Sequence, residues 1–207
     1  MSHSGPDRIP KTFFARDPER VARELLGCRL ASEWNGMMVM SRIVETEAYR
    51  GQEDPASHAY RGPTKRTAVM FAAPGHAYVY RSYGVHWCCN VVAHTEGVAG
   101  AVLIRSGELL CGEEYVRMRL DRNADRPGSR LLSGPGLFAR GHGITQDANG
   151  LPFFQGDSPL RLYQGCLASE EHIISTPRIG ISAAQEMKLR FCIAGHPSVS
   201  GLSRLRR

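Results

Sequence analysis

The run MMVMSRIVETEAY, residues 37–49, constrains the fold more than any other stretch of this chain. It holds no glycine or proline and is rich in apolar and β-branched residues. It therefore reads as one long strand and commits the chain to a sheet. Residues 76–94 add a hairpin, with the aromatic and apolar runs HAYVYRS and VHWCCNVVAH flanking Tyr83-Gly84. A further strand is expected over 99–105 (AGAVLIR), and short ones near 159–163, 172–174 and 189–193. Asp17-Pro18-Glu19 is a helix start: an N-cap, a proline at N1 and an acid in the first turn. Val21, Ala22, Leu25 and Leu26 form its apolar stripe, and Gly27 closes it. A second helix is expected from Glu113 through Val116, Met118 and Leu120.

Between these elements lie two irregular stretches. Residues 50–75 contain Gly51, Pro55, Gly62, Pro63, Pro74 and Gly75 among polar residues, and 121–158 are rich in Gly, Asp, Arg and Pro. A loop as long as the first is either functional or disordered. No repeat, low-complexity tract or linker divides the 207 residues. The expectation is a single α+β domain spanning 1–207, with 1–9 and 203–207 as flexible ends. Its core would be a curved, largely antiparallel β-sheet surrounded by helices and long loops, with a protruding β-hairpin.

Charged residues make up 22% of the chain and hydrophobic ones 42%, which is a globular balance. No run of about eighteen apolar residues is present, so no membrane helix is expected. The N-terminus Met1-Ser2-His3-Ser4-Gly5-Pro6 lacks the apolar region of a signal peptide. A cytoplasmic protein is expected: nucleoid-associated in a bacterium, nuclear in a eukaryote, and not secreted. The formal net charge of +6 suits a polyanionic partner. All cations but Lys11, Lys65 and Lys188 are arginines. Arginine suits bidentate phosphate contacts, but a GC-rich genome produces the same bias. The six cysteines form no C-x-x-C pair and read as reduced core thiols. The eight histidines show no ligand spacing, so neither metal nor cofactor is expected.

The residues that carry chemistry stand out because they break local rules. Glu45 and Glu47 are two apart on the long strand and so share a face with Tyr49. Strand interiors disfavour Glu, and a core-facing carboxylate must be hydrogen-bonded or working. On this segment alone an exposed strand face is the better reading. Tyr83, beside Gly84 at the hairpin tip, either folds back onto the sheet or projects as a wedge for a base stack. His58 sits in the long polar loop, while Asn90 and Arg105 interrupt apolar strands and need partners if buried.

In combination these residues resemble the alkyladenine (3-methyladenine) DNA glycosylases. The resemblance is carried by Arg42-Ile43-Val44-Glu45-Thr46-Glu47-Ala48-Tyr49, Asp54, Ser57-His58, Met70-Phe71, Pro74-Gly75, Tyr78-Val79-Tyr80 and Tyr83-Gly84. Cys88-Cys89-Asn90, Val102-Leu103-Ile104-Arg105 and Ser133-Gly134-Pro135-Gly136 complete it. It covers about residues 10–195, with the motifs in order. It implies that Glu47 is the general base that activates water and that Arg105 helps hold that water. Tyr49, His58 and Tyr80 would be the walls around an extruded base, and Asn90 the residue that rejects the amino group of guanine. Tyr83 would fill the gap left in the duplex, and Thr64 and Arg66 would touch the DNA backbone. This chain has Leu137-Phe138 where the family often has Lys-Leu, and His86 where some relatives have tyrosine.

The resemblance further implies a monofunctional enzyme of base excision repair that acts on double-stranded DNA containing alkylated or deaminated purines. An electron-rich aromatic cage would favour the positive charge of an alkylated purine. A lyase step needs an amine nucleophile, and the three lysines lie outside these motifs. One carboxylate suffices, so Glu45 is expected to be structural. A monomer is expected. Two rivals are a non-catalytic nucleic-acid-binding domain and a metal-dependent nuclease using Glu45, Glu47, Asp54 and His58.

Overall fold

In the computed structural model, which describes residues 7–95 and 98–201, the long run is β2 (Met37–Tyr49), and every layer of the domain is arranged around it. One edge of β2 pairs with β5 (Ala101–Cys111). The other pairs first with β1 (Arg29–Trp34) and then, at Glu45–Glu47, with β8 (Arg190–Ile193). The hairpin strands β3 (Ala77–Ser82) and β4 (His86–Val92) extend the sheet beyond β5. β6 (Leu160–Tyr163) lies beyond β1, and β7 (Ile173–Thr176) beyond β8. The order is β3-β4-β5-β2-β1-β6, with β8 and β7 branching from β2, and all pairings are antiparallel. The chain is thus α+β with an antiparallel sheet of eight strands.

Register shifts mark an extra residue in β2 between Ile43 and Glu45 and an extra residue in β5, Arg105, opposite the Glu45–Thr46 step. A bulge bends a strand and re-aims its side chains. Here it does so where both acids stand. β5 runs six residues beyond the predicted end at Arg105, through Ser106-Gly107, because its partner β2 continues alongside it.

Short helices cover the sheet. After α1 (Lys11–Phe14), α2 (Pro18–Glu24) starts as its sequence requires: Asp17 accepts from the Glu19 and Arg20 amides at 2.8 and 3.3 Å. It buries Val21 and Ala22 and lies on β2, where Thr46 donates to the Ala22 carbonyl at 2.8 Å. α3 (Glu113–Leu120) packs on α4 (Pro135–Gly141), which covers β4 and β5. Beneath them Phe14, Leu25, Leu30, Ile43, Phe138, Phe153 and Phe191 are essentially fully buried. Each contributes about 1.5–3 kcal/mol of transfer free energy. His142, just after α4, is also fully buried and bridges Ser32 on β1 and Ser41 on β2, both at 2.8 Å. Burial and the charge of Arg119 pull its pKa down to about 3, so it is neutral.

Several expectations need correction. β1 was not anticipated, because Leu30, Ala31 and Ser32 are buried in succession and give no alternation. Its signal was Asn35-Gly36, the turn to β2, with both residues at positive φ (53° and 76°). α4 lies inside a stretch read as irregular. The flexible lead-in does not reach residue 9: Ile9 is buried, and its amide donates to the Leu162 carbonyl at 2.9 Å. Cys111 and Cys166 are exposed, so only Cys28, Cys88, Cys89 and Cys192 are core thiols; all six are free. The terminal residues Arg204, Leu205, Arg206 and Arg207 lie outside the described residues. No helix among the described residues is long and apolar enough to cross a membrane.

Candidate active site

The long loop 50–75 is a wall, not a disordered strap. Ala59 and Met70 are buried against Tyr78, Val92, Ala99 and Ala101, which pins the loop to the hairpin side of the sheet. Its first turn passes so close to residue 99 that a Cβ on Gly51 would stand 1.8 Å from the Ala99 carbonyl oxygen. Only glycine is possible there. The loop, the β3–β4 hairpin, the start of α4 and residues 179–182 enclose a cleft of about 970 Å³.

Glu47 lies behind the cleft surface and is fully buried. Its Oε1 accepts from the Ile179 amide at 2.8 Å and faces Arg105 Nη1 at 3.1 Å; its Oε2 accepts from the Tyr49 hydroxyl at 2.8 Å. A carboxylate has about four acceptor positions, so two hydrogen bonds and the Arg105 ion pair leave room for a further donor. Tyr49 and Arg105, which line the cleft, stand in front of it. Burial and the negative charge of Glu47 push the Tyr49 phenol well above its usual range, so it stays a donor.

Arg105 is held from both sides. Its Nε donates to Glu45 Oε1 at 2.8 Å while Nη1 points at Glu47. Burial disfavours its charge, but Glu47 and Glu45 outweigh burial and keep it cationic. Glu45 accepts in addition from Arg190 Nε (2.7 Å), Ser106 Oγ (2.6 Å), Ser200 Oγ (2.9 Å) and the Ser200 amide (2.7 Å). Five donors leave it no room for a substrate, so Glu45 is structural. The exposed-face alternative for Glu45 and Glu47 is excluded, since both have no exposure. The segment carrying Ile179 is fixed by Arg178, which makes a bidentate pair with buried Asp54 and lies 4.7 Å over the Tyr49 ring. Arg178, Arg190 and Ser200 were missed from sequence: their partners are 124 to 155 residues away.

Tyr49, His58 and Tyr80 all line the cleft. The His58 and Tyr80 rings stand edge to face at 4.5 Å, and Tyr78 is 5.5 Å from Tyr80. His58 Nδ1 is 3.0 Å from the Tyr78 hydroxyl. His58 keeps an edge in solvent, yet partial burial and the nearby Arg66 charge lower its pKa to about 4. It is neutral at physiological pH. Asn90 donates Nδ2 to the Tyr78 carbonyl at 2.9 Å across the hairpin, which fixes the orientation of its amide in the cleft. Tyr83 projects from the tip, 89% exposed, at the first positive-φ position of the turn (φ 48°), with Gly84 at 68°. It does not fold back.

Thr64 and Arg66 are placed differently from one another. Thr64 closes a local turn with Thr67, its hydroxyl 2.9 Å from Thr67 Oγ1, and does not line the cleft. Arg66 does line it, with its guanidinium 5.1 Å over the Tyr80 ring. At the opposite lip His86 lies flush on Gly136, where a Cβ would be 3.0 Å from the imidazole, and Leu137 borders the cleft. Among the described residues no cluster of three or more His, Cys, Asp or Glu could hold a metal.

Comparison with known proteins agrees with this constellation. The sequence profile of the family described as Methylpurine-DNA glycosylase (MPG) matches residues 12–197. Relatives named "Putative 3-methyladenine DNA glycosylase" are similar over nearly the whole chain. One from Carboxydothermus hydrogenoformans is 44% identical, covering 93% of this chain and 98% of its own length. One from Methanoculleus marisnigri is 45% identical, with the same shares, 93% and 98%. A third, from Rhodopseudomonas palustris, is 46% identical over 93% and 90%. Family profile, near-complete coverage and the buried acid behind an aromatic cleft converge: this chain belongs to the methylpurine-DNA glycosylase family, hydrolases acting on N-glycosyl bonds in DNA.

Proposed function

We propose that the chain extrudes a damaged purine, alkylated or deaminated, from duplex DNA into the cleft and hydrolyses its N-glycosidic bond without a lyase step. The observation that carries this reading is Glu47. A fully buried carboxylate with two hydrogen-bond donors, one ion pair and room for a further donor sits behind two cleft residues, Tyr49 and Arg105.

Chemistry on a paired base requires extrusion, which costs a few kcal/mol and is easiest at damaged pairs. Tyr83, projecting from the hairpin turn, offsets that cost by taking the place of the lost base. The extruded purine stacks against Tyr80 and His58 on one side and Tyr49 on the other, and Asn90 reads its edge. Water then attacks C1′: an oxygen–carbon bond forms, the carbon–nitrogen bond breaks, and the leaving base takes the electron pair. Glu47 accepts the proton of the water. General-base catalysis of this kind typically supplies ~100 to 10,000-fold. No lysine is among the described residues that line the cleft, so no lysine side chain is placed there to form a Schiff base. The scheme calls on no group from a second copy of the chain, and the protein is proposed to act as a monomer.

The test is a single-turnover assay with EDTA on duplexes carrying one hypoxanthine or one ethenoadenine, comparing wild type with Glu47→Gln. Glutamine fits the site. Its oxygen can accept from Ile179 and Arg105, and its amide can donate to a reoriented Tyr49 hydroxyl. The expected result is base release by wild type, strand scission only after alkali, and a variant that binds lesion DNA without turnover. Undiminished release by Glu47→Gln would refute the role of Glu47. Dependence on metal would point to a nuclease, and no release on any lesion would leave a binding module.

A further inference from the structure

Both tyrosine walls of the cleft already carry a cation. Arg178 lies 4.7 Å over Tyr49 and Arg66 lies 5.1 Å over Tyr80. A ring that stacks on a guanidinium offers less of its electron-rich face to a second cation. The acids around the cleft are matched as well: Glu45 and Glu47 by Arg105 and Arg190, and Asp54 by Arg178. No ion pair among the described residues includes Arg66. The other arginines of the rim are engaged elsewhere: Arg81 over Trp87, and Arg140 with the Arg119 carbonyl. The third wall, His58, lies close enough to Arg66 to feel its charge. Arg66 is thus surplus positive charge held over the slot itself.

From this arrangement we infer that Arg66 is a specificity-determining residue that biases the cleft toward neutral damaged purines and against purines bearing a positive charge. The inference rests on the glycosylase reading above. It reverses the simpler expectation that the aromatic cage favours cationic bases, because the cage arrives with its cations in place. A neutral purine, deaminated or bridged, can stack on Tyr80 with Arg66 alongside. A cationic N-methylated purine meets like charge at a few ångströms, so it requires Arg66 to leave.

The experiment compares wild type, Arg66→Gln and Arg66→Lys in single turnover on two otherwise identical duplexes. One carries hypoxanthine, which is neutral, and the other 7-methylguanine, which is cationic. Each variant rate is divided by the wild-type rate on the same lesion, which removes the different intrinsic lability of the two bonds. Arg66→Gln is expected to raise the 7-methylguanine ratio over the hypoxanthine ratio by roughly fivefold to tenfold. This is the scale for like charges near each other at a partly exposed site. Arg66→Lys, which keeps the charge, should stay nearer wild type. Arg66 is exposed and pairs with no acid among the described residues, so neither change threatens the fold. Equal slowing on both lesions would overturn the inference and leave Arg66 as a backbone contact. Failure of the wild type to release either base would instead sink the glycosylase reading, and the inference with it.

Discussion

Replacing Glu45 by glutamine tests whether the buried charge network behind the cleft is what the geometry says it is. Shape and volume are preserved, so any loss comes from hydrogen bonding and charge. Glu45 Oε1 receives Arg105 Nε, Arg190 Nε and Ser200 Oγ, while Oε2 receives Ser106 Oγ and the Ser200 amide. The best placement of a glutamine puts its oxygen toward the arginines and its NH₂ toward Ser106 and Ser200. The Ser106 hydroxyl can turn to accept. The Ser200 N–H cannot, and a buried orphan donor costs about 1–3 kcal/mol. Two buried guanidinium groups also lose a shared counter-charge. Disrupting a buried ion pair costs about 3–5 kcal/mol in total. For a chain of this size that lowers Tm by roughly 6–20 °C.

The assay is urea and thermal unfolding followed by circular dichroism. It has a pH arm. Burial raises the pKa of Glu45, but Arg105 and Arg190 outweigh burial and hold it below its ordinary value. A depressed carboxyl contributes stability above the ordinary carboxylate range and loses it as pH falls through the folded value. Wild type should show that acid loss, and Glu45→Gln should show less of it. A destabilisation below about 1 kcal/mol at neutral pH would refute the reasoning, because it would mean the network relaxes without its centre.

Two further outcomes follow from single features. His142 is neutral in the fold with a pKa near 3, whereas an unfolded histidine binds its proton near 6.5. Stability should therefore be full above pH 6.5 and fall toward pH 3 by up to about 1.4 kcal/mol per unit; His142→Gln should flatten that slope between pH 6 and 4.5, and identical slopes would exclude the assignment. Tyr83 holds a positive φ next to Gly84, a turn that Asn-Gly suits better. Tyr83→Asn should keep or raise Tm, by up to about 1 kcal/mol in stability, while excision from duplex DNA falls at least about tenfold. Unchanged excision would remove Tyr83 from the extrusion step.

The sequence by itself determined the elements whose signals are local. β2 was legible over its whole length because its residues share a propensity and no breaker interrupts them. α2 was legible from Asp17-Pro18, and the β3–β4 hairpin from two apolar runs around Tyr83-Gly84. The motif set pointed to Glu47, Arg105, Tyr49, His58, Tyr80 and Asn90, and the fold brings these six together. Asn35-Gly36 is the local signal of β1, a turn whose two residues both take positive φ. α4 has only seven residues, Pro135 and Gly136 among them, too few to show a period. What only the tertiary structure decided is how each acid is matched. Whether Glu45 or Glu47 works depends on which donors surround each carboxylate, and those donors sit on Arg105, Ser106, Ile179, Arg190 and Ser200. Charge pairing in a core is set by distance in space. A chain that closes loops of more than a hundred residues leaves no trace of those distances in its local pattern.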